Sequence, residues 1–180
     1  MPTYIALLRG INVGGHRSVT MAALREVHAR LGHTDVVTYI QSGNVVFDAG
    51  SHDVALLSRT IEQAITAEFG IDVPVIIRTP AEVSAIIESS PYTTTGADPA
   101  RLAVAFLAEP PAMDQAGGID ATALLPDEFA LADREVYLHC PTGFGRTKLT
   151  NAYLEKQLGI AATTRNWRTV TELAALADRP

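Results

Sequence analysis

The sequence predicts an α+β chain of two tandem βαββαβ halves, and three observations carry that expectation. Short β-branched and aromatic runs alternate with stretches whose apolar residues recur every three or four positions. Two pairs of the short runs flank turn-forming residues, Ser42-Gly43 and Asp133-Arg134, as the strands of a hairpin do. The order strand, helix, strand, strand, helix, strand then recurs in the second half. That order is the ferredoxin-like pattern, with two helices on one face of an antiparallel sheet.

The first strand covers 3–9, where Tyr4, Ile5, Leu7 and Leu8 alternate poorly and so suggest burial on both faces. A helix follows from Met21, with Leu24, Val27 and Leu31 on one stripe, Thr20 as N-cap and Gly32 as stop. Runs 36–41 and 44–48 form the hairpin. Val54, Leu57, Ile61, Ile65 and Phe69 mark a helix that opens after Asp53 and closes at Gly70. The run 73–78 completes the half. Thr79-Pro80-Ala81-Glu82 is a capping box with proline at the first helical position, so a linking helix starts there.

After a loop over 89–99, a strand covers 101–107, and a weak helix spans 111–125, interrupted by Gly117-Gly118 at about 1 kcal/mol per glycine. Runs 128–131 and 135–140 make the second hairpin. Leu149, Tyr153, Leu154 and Leu158 place a helix up to Gly159, a short strand spans 161–165, and Trp167, Val170, Leu173, Ala174 and Ala177 define a terminal helix capped by Asn166. The organisation is therefore an N-terminal half over 1–79, a linking helix and loop over 80–100, and a C-terminal half with its terminal helix over 101–180. The duplication is one of element order, with no residue-by-residue repeat.

Composition narrows the classes of function. At 180 residues, with 47% apolar and 19% charged, the chain has material for a sizeable core and does not resemble a disordered segment. A net charge of -6 disfavours a surface that coats duplex DNA or anionic lipid, since such binding works by neutralising phosphates. The single cysteine, Cys140, fits a reducing compartment and reads as a buried small hydrophobe, and no run is long enough to span a bilayer. A cytoplasmic protein, monomer or homodimer, is expected. The five histidines show no metal-ligand spacing, so neither metal nor cofactor is expected, and no residue stands out as a catalytic base or nucleophile.

Four segments can hold a ligand. In Arg9-Gly10-Ile11-Asn12-Val13-Gly14-Gly15-His16-Arg17, Gly14 and Gly15 free backbone N–H groups for an anion, with Arg9, Asn12, His16 and Arg17 as donors beside them. The spacing matches neither the P-loop nor the dinucleotide fingerprint, and a loop that needs glycines for its turns explains it equally well. In Gln41-Ser42-Gly43-Asn44, Gln41, Ser42 and Asn44 can donate and accept, although the turn alone accounts for glycine and asparagine. Gly145-Arg146-Thr147-Lys148-Leu149 and Thr164-Arg165-Asn166-Trp167-Arg168 place cations at helix starts, against the helix dipole. A phosphate there would pair with Arg146, Lys148, Arg165 or Arg168 beside the Asn166 cap, and ion pairs within the fold would serve as well. The pattern places the loop after the first strand and the first hairpin turn at opposite ends of their sheet.

Those four segments, the first of them only as far as Gly15, with Tyr4-Ile5-Ala6-Leu7-Leu8 and Thr38-Tyr39-Ile40 before the first two and Val45-Val46-Phe47 and Thr169-Val170 after the second and last, resemble the bacterial family of unknown function numbered 1697. The resemblance implies a two-lobed α+β protein of ferredoxin-like character with a groove between lobes, and no established activity. The region 111–125 departs from the regular helix expected of the family. Two functions are consistent with these features. One is binding of an anionic ligand in that groove: a nucleotide, a phosphorylated metabolite or single-stranded RNA. The other is a non-catalytic protein-interaction module whose Arg and Asn motifs are structural.

Overall fold

A computed structural model describes residues 1–179 of the chain, and in it the strands form two four-stranded antiparallel sheets. The chain divides into two compact units, Met1–Val83 together with the segment from Leu173 onward, and Ser84–Glu172.

In the first unit the order is β1 (Thr3–Leu8), α1 (Met21–Arg30), β2 (Thr34–Tyr39), β3 (Asn44–Asp48), α2 (Val54–Phe69) and β4 (Val75–Arg78). The sheet order is β2-β3-β1-β4. The helix ends lie where their chemistry places them. Thr20 accepts from the Ala23 N–H at 3.2 Å and Asp53 from the Leu56 N–H at 2.9 Å, while Gly70 closes α2 at φ +67°. Leu24 and Val27 of α1 and Ile61 and Ile65 of α2 bury against Ala6, Leu8, Val45 and Phe47. Each such aliphatic side chain contributes about 1.5–3 kcal/mol. Strand β1 is buried on both faces, since Ile5 and Leu7 are as enclosed as Ala6 and Leu8.

α3 (Pro80–Glu88) opens with a reciprocal cap: the Glu82 N–H donates to Thr79 Oγ1 at 3.2 Å and the Thr79 N–H to Glu82 Oε2 at 2.7 Å.

In the second unit the order is β5 (Leu102–Leu107), α4 (Met113–Ala116), β6 (Glu128–Leu131), β7 (Glu135–His139), α5 (Asn151–Leu158) and β8 (Ala162–Asn166), with sheet order β6-β7-β5-β8. Its core joins Ala103, Ala105 and Leu107 to Leu138, Leu154 and Leu158. α6 (Trp167–Ala177) begins where Asn166 accepts from the Thr169 N–H at 2.9 Å.

Several boundaries differ from the sequence expectation, for local reasons. The helix expected over 111–125 shrinks to the four residues of α4 and a 3₁₀ turn at Thr122–Leu124, because Gly117-Gly118 end it. The first hairpin turn takes four residues, 40–43, with Ile40 at φ +49° and Gly43 at φ +83°. Leu149 lies outside α5, whose N-cap is Thr150.

The two sheets also share a register that the element order alone did not reveal. β1 pairs Ile5 with Arg78 and Leu8 with Val75; β5 pairs Val104 with Arg165 and Leu107 with Ala162. Counted along the first strand of each unit, these are the same positions. Arg78 and Arg165 therefore correspond, each followed directly by a helix cap, Thr79 or Asn166.

Candidate functional site

The loop after β1 and the first hairpin turn lie at the same end of their sheet, not at opposite ends. β1 and β3 run antiparallel with Leu7 opposite Asn44, so the turn that feeds β3 meets the residues that leave β1. The Leu8 N–H donates to the Gly43 carbonyl at 2.9 Å, and the Arg9 N–H to the Pro74 carbonyl at 3.0 Å. Asn12 fastens the two motifs together. Its Nδ2 donates to the Gln41 carbonyl at 2.7 Å and to the Val19 carbonyl at 2.8 Å, while its Oδ1 accepts from the Val19 N–H at 2.8 Å. Asn44, fully buried, braces the turn from within by donating to the Tyr39 carbonyl and to Ser42 Oγ, both at 3.0 Å.

Asn12→Ala removes three hydrogen bonds and leaves the Val19 and Gln41 backbone groups to water, a loss of about 2 kcal/mol in urea unfolding. Asn12→Asp should fall nearly as far, since a carboxylate cannot donate to two carbonyls.

Between Asn12 and Arg17 the chain forms a small hairpin, with the His16 N–H on the Val13 carbonyl at 3.0 Å and the Asn12 N–H on the Arg17 carbonyl at 3.1 Å. Gly14 and Gly15 occupy its tip at φ +59° and +76°, the positive angles that a primed hairpin turn demands. Among the described residues, neither glycine N–H has a hydrogen-bond partner. Arg17 is exposed and donates to the Asp72 carbonyl, while Arg9 is half-buried beside the same loop. Gln41 is exposed, and Ser42 is half-buried. One end of the first sheet thus gathers Arg9, Asn12, Gly14, Gly15, Gln41, Ser42 and Asn44.

In the second unit the motif cations fall in three different settings. Arg146 and Lys148 are exposed in the segment before α5 rather than in its first turn, and Lys148 donates to the Ala123 carbonyl at 3.2 Å. Arg165 stands inside β8 rather than at a helix start, nearly buried, and donates to Thr163 Oγ1 at 2.8 Å and to the Thr164 carbonyl at 3.1 Å. Burial pulls its guanidinium down to about 10. Asn166 spends its side-chain oxygen on the α6 cap, and Arg168 is exposed in the first turn of that helix.

Sequence reading missed four groups. Arg78 is 1% exposed and is the largest fully buried side chain described, with Nη1 donating to the Ile77 carbonyl at 3.0 Å. The repeated pattern of arginine, cap residue and helix at 78–80 and 165–167 was the available signal. Thr147, the residue that anchors the third motif, donates to Asp127 Oδ2 at 2.6 Å and accepts from the Leu149 N–H at 3.1 Å. His139 Nδ1 lies 3.1 Å from Glu128 Oε2, a pair made by the β6–β7 register and invisible along the chain. His28 and His33 meet in the first core with their Nδ1 atoms 3.0 Å apart. Cys140 is fully buried, and burial above all pushes its thiol up.

Comparison with known proteins supports the fold and the family. The conserved bacterial protein SP0830 from Streptococcus pneumoniae has a similar structure, with a TM-score of 0.76 and 24% sequence identity. The match covers 98% of this chain and 99% of that one. No curated protein matches the chain. The model of the family described as "Protein of unknown function (DUF1697)" matches residues 1–137, which takes in both motifs of the first unit. With most of its length matched, the chain belongs to the DUF1697 family.

Proposed function

We propose that the chain is a cytoplasmic protein of two ferredoxin-like halves that binds a phosphate-containing ligand through its glycine-bearing and basic loops. The observation that carries this reading is the Asn12 clamp, which holds Arg9, Arg17 and the N–H groups of Gly14 and Gly15, without hydrogen-bond partners among the described residues, at one end of one sheet. Backbone donors on positive-φ glycines beside guanidinium groups suit a phosphate, which offers several acceptor oxygens and negative charge. The sheet order of each unit and the absence of any helix long and apolar enough to cross a membrane among the described residues support the rest of the reading. Arg146, Lys148 and Arg168 supply the exposed cations of the second unit.

Thermal unfolding of the full chain with ATP, pyrophosphate and a short oligouridylate tests it. A ligand at 100 times its Kd should stabilise the protein by about 2.7 kcal/mol, and Arg17→Gln should weaken that response. Unchanged melting with every phosphorylated compound at about 1 mM would count against the reading, since that concentration saturates any physiologically useful site.

A second reading, a protein-interaction module with structural motifs, draws on a separate observation. Asn12, Asn44 and Asn166 spend their side chains on internal hydrogen bonds. On this reading their substitution lowers stability and leaves any ligand response where it was.

A further inference from the structure

Two apolar side chains stand in water beside the proposed phosphate donors. Val13 is 63% exposed in the loop after β1, and Ile40 is 47% exposed in the first hairpin turn. The bond from Asn12 Nδ2 to the Gln41 carbonyl, 2.7 Å long, joins their immediate neighbours in the chain, so the two residues flank one tether between the two motifs. Gly14 and Gly15, whose N–H groups have no hydrogen-bond partner among the described residues, follow Val13 directly. Single exposed aliphatic residues are ordinary on a protein surface, and this pair would need no account if nothing else set it apart.

Ile40 is set apart by its backbone. It adopts φ +49°, a left-handed conformation that suits glycine or asparagine and is an outlier for a β-branched residue. Among the described residues, the other non-glycine residues with positive φ are Asn12, Arg17 and Asp35, and none of them is β-branched. Asn12 offsets its conformation with three side-chain hydrogen bonds, and Arg17 with a bond to the Asp72 carbonyl. Ile40 has no polar side-chain group to bond and keeps nearly half of its surface in water. Strain that neither a bond nor full burial offsets is characteristic of binding sites. The neighbouring groups specify what would bind. Backbone N–H groups and the Arg17 guanidinium favour negative charge, whereas Val13 and Ile40 offer only aliphatic surface.

We propose, on the basis of the phosphate reading above, that the ligand at this end of the first sheet is a phosphate monoester with an apolar body. Its phosphate lies on the Gly14 and Gly15 N–H groups and Arg17, and its body lies against Val13 and Ile40. Inorganic phosphate or a sugar phosphate would leave the aliphatic pair in water, and a neutral hydrocarbon would leave the donors unmet.

The test is calorimetric titration of the full chain with phenyl phosphate, glycerol phosphate, inorganic phosphate and phenol. Phenyl phosphate should bind at least about tenfold more tightly than glycerol phosphate or inorganic phosphate, the effect of removing one ring face from water, and phenol should not bind. Ile40→Asn should abolish that preference without changing the affinity for inorganic phosphate. The same variant should keep its urea midpoint at or above that of the wild type, because asparagine tolerates a positive φ. Arg17→Gln should weaken every phosphate compound alike and retain the preference for phenyl phosphate. Equal affinities for phenyl phosphate and glycerol phosphate would overturn the inference and leave the phosphate reading standing. A preference that survives in Ile40→Asn would do the same, as would a midpoint far below wild type in that variant, since the fold itself would then hold the side chain. Binding of no phosphate compound at all would overturn both.

Discussion

Acidification from pH 7 to pH 4 should cost the protein about 3 kcal/mol through His28 alone. His28 is fully buried, with its ring edge-on to Phe47, and its Nδ1 lies 3.0 Å from that of His33. Burial, and then the neighbouring His33, lowers its pKa from 6.5 to about 3. Burial lowers His33 as well, so it adds in the same direction. The folded state thus resists a proton that the unfolded chain takes up readily. Below pH 6.5 the unfolded state binds more protons, so stability is complete above that value and drains away as pH falls toward about 3. Urea unfolding of wild type and His28→Leu across this window isolates the contribution. The variant should be less stable at pH 7 and lose much less on acidification. Parallel pH profiles for the two proteins would show that His28 does not titrate as its burial demands.

Gly43→Val should be the most damaging single substitution in the glycine-bearing turns, at about 4 kcal/mol. Gly43 adopts φ +83°, and a Cβ there would lie 2.7 Å from Ile11 Cδ1 and 2.8 Å from Leu8 Cβ. The left-handed backbone costs a side chain about 1–2 kcal/mol, and forcing apart packed apolar atoms adds about 1–3. Gly14 is the control. It too has a positive φ, but a Cβ would meet nothing within 4 Å, so Gly14→Ala should cost only about 1 kcal/mol. Urea midpoints of the two variants check the contrast, and equal losses would show that packing against Ile11 and Leu8 contributes nothing. The clash also accounts for glycine in a turn that other residues could otherwise make: the loop after β1 lies directly over it.

Much of the fold was legible because its signals are local. Thr20, Asp53, Thr79-Glu82, Gly70 and Asn166 each cap a helix end by a bond to a residue within four positions, and stripes such as Leu57, Ile61 and Ile65 need only helical spacing to reveal a buried face. The short α4 was the main misreading of an element, and it went wrong where glycines had already weakened the local signal.

The site was less legible, because its geometry depends on which strands pair. Nothing along the chain says that Asn12 donates to Gln41, that Thr147 anchors Asp127, or that Glu128 faces His139. Arginine in a strand reads the same whether it is exposed or, like Arg78, sealed from water.

By itself, the sequence determined the succession of helices and strands, their caps, the acidic balance and the four motifs, all properties of near neighbours or of composition. Only the tertiary structure decided which motif residues meet and which are spent on internal bonds. Those outcomes depend on sheet register, which joins residues tens of positions apart through backbone hydrogen bonds that no side chain announces.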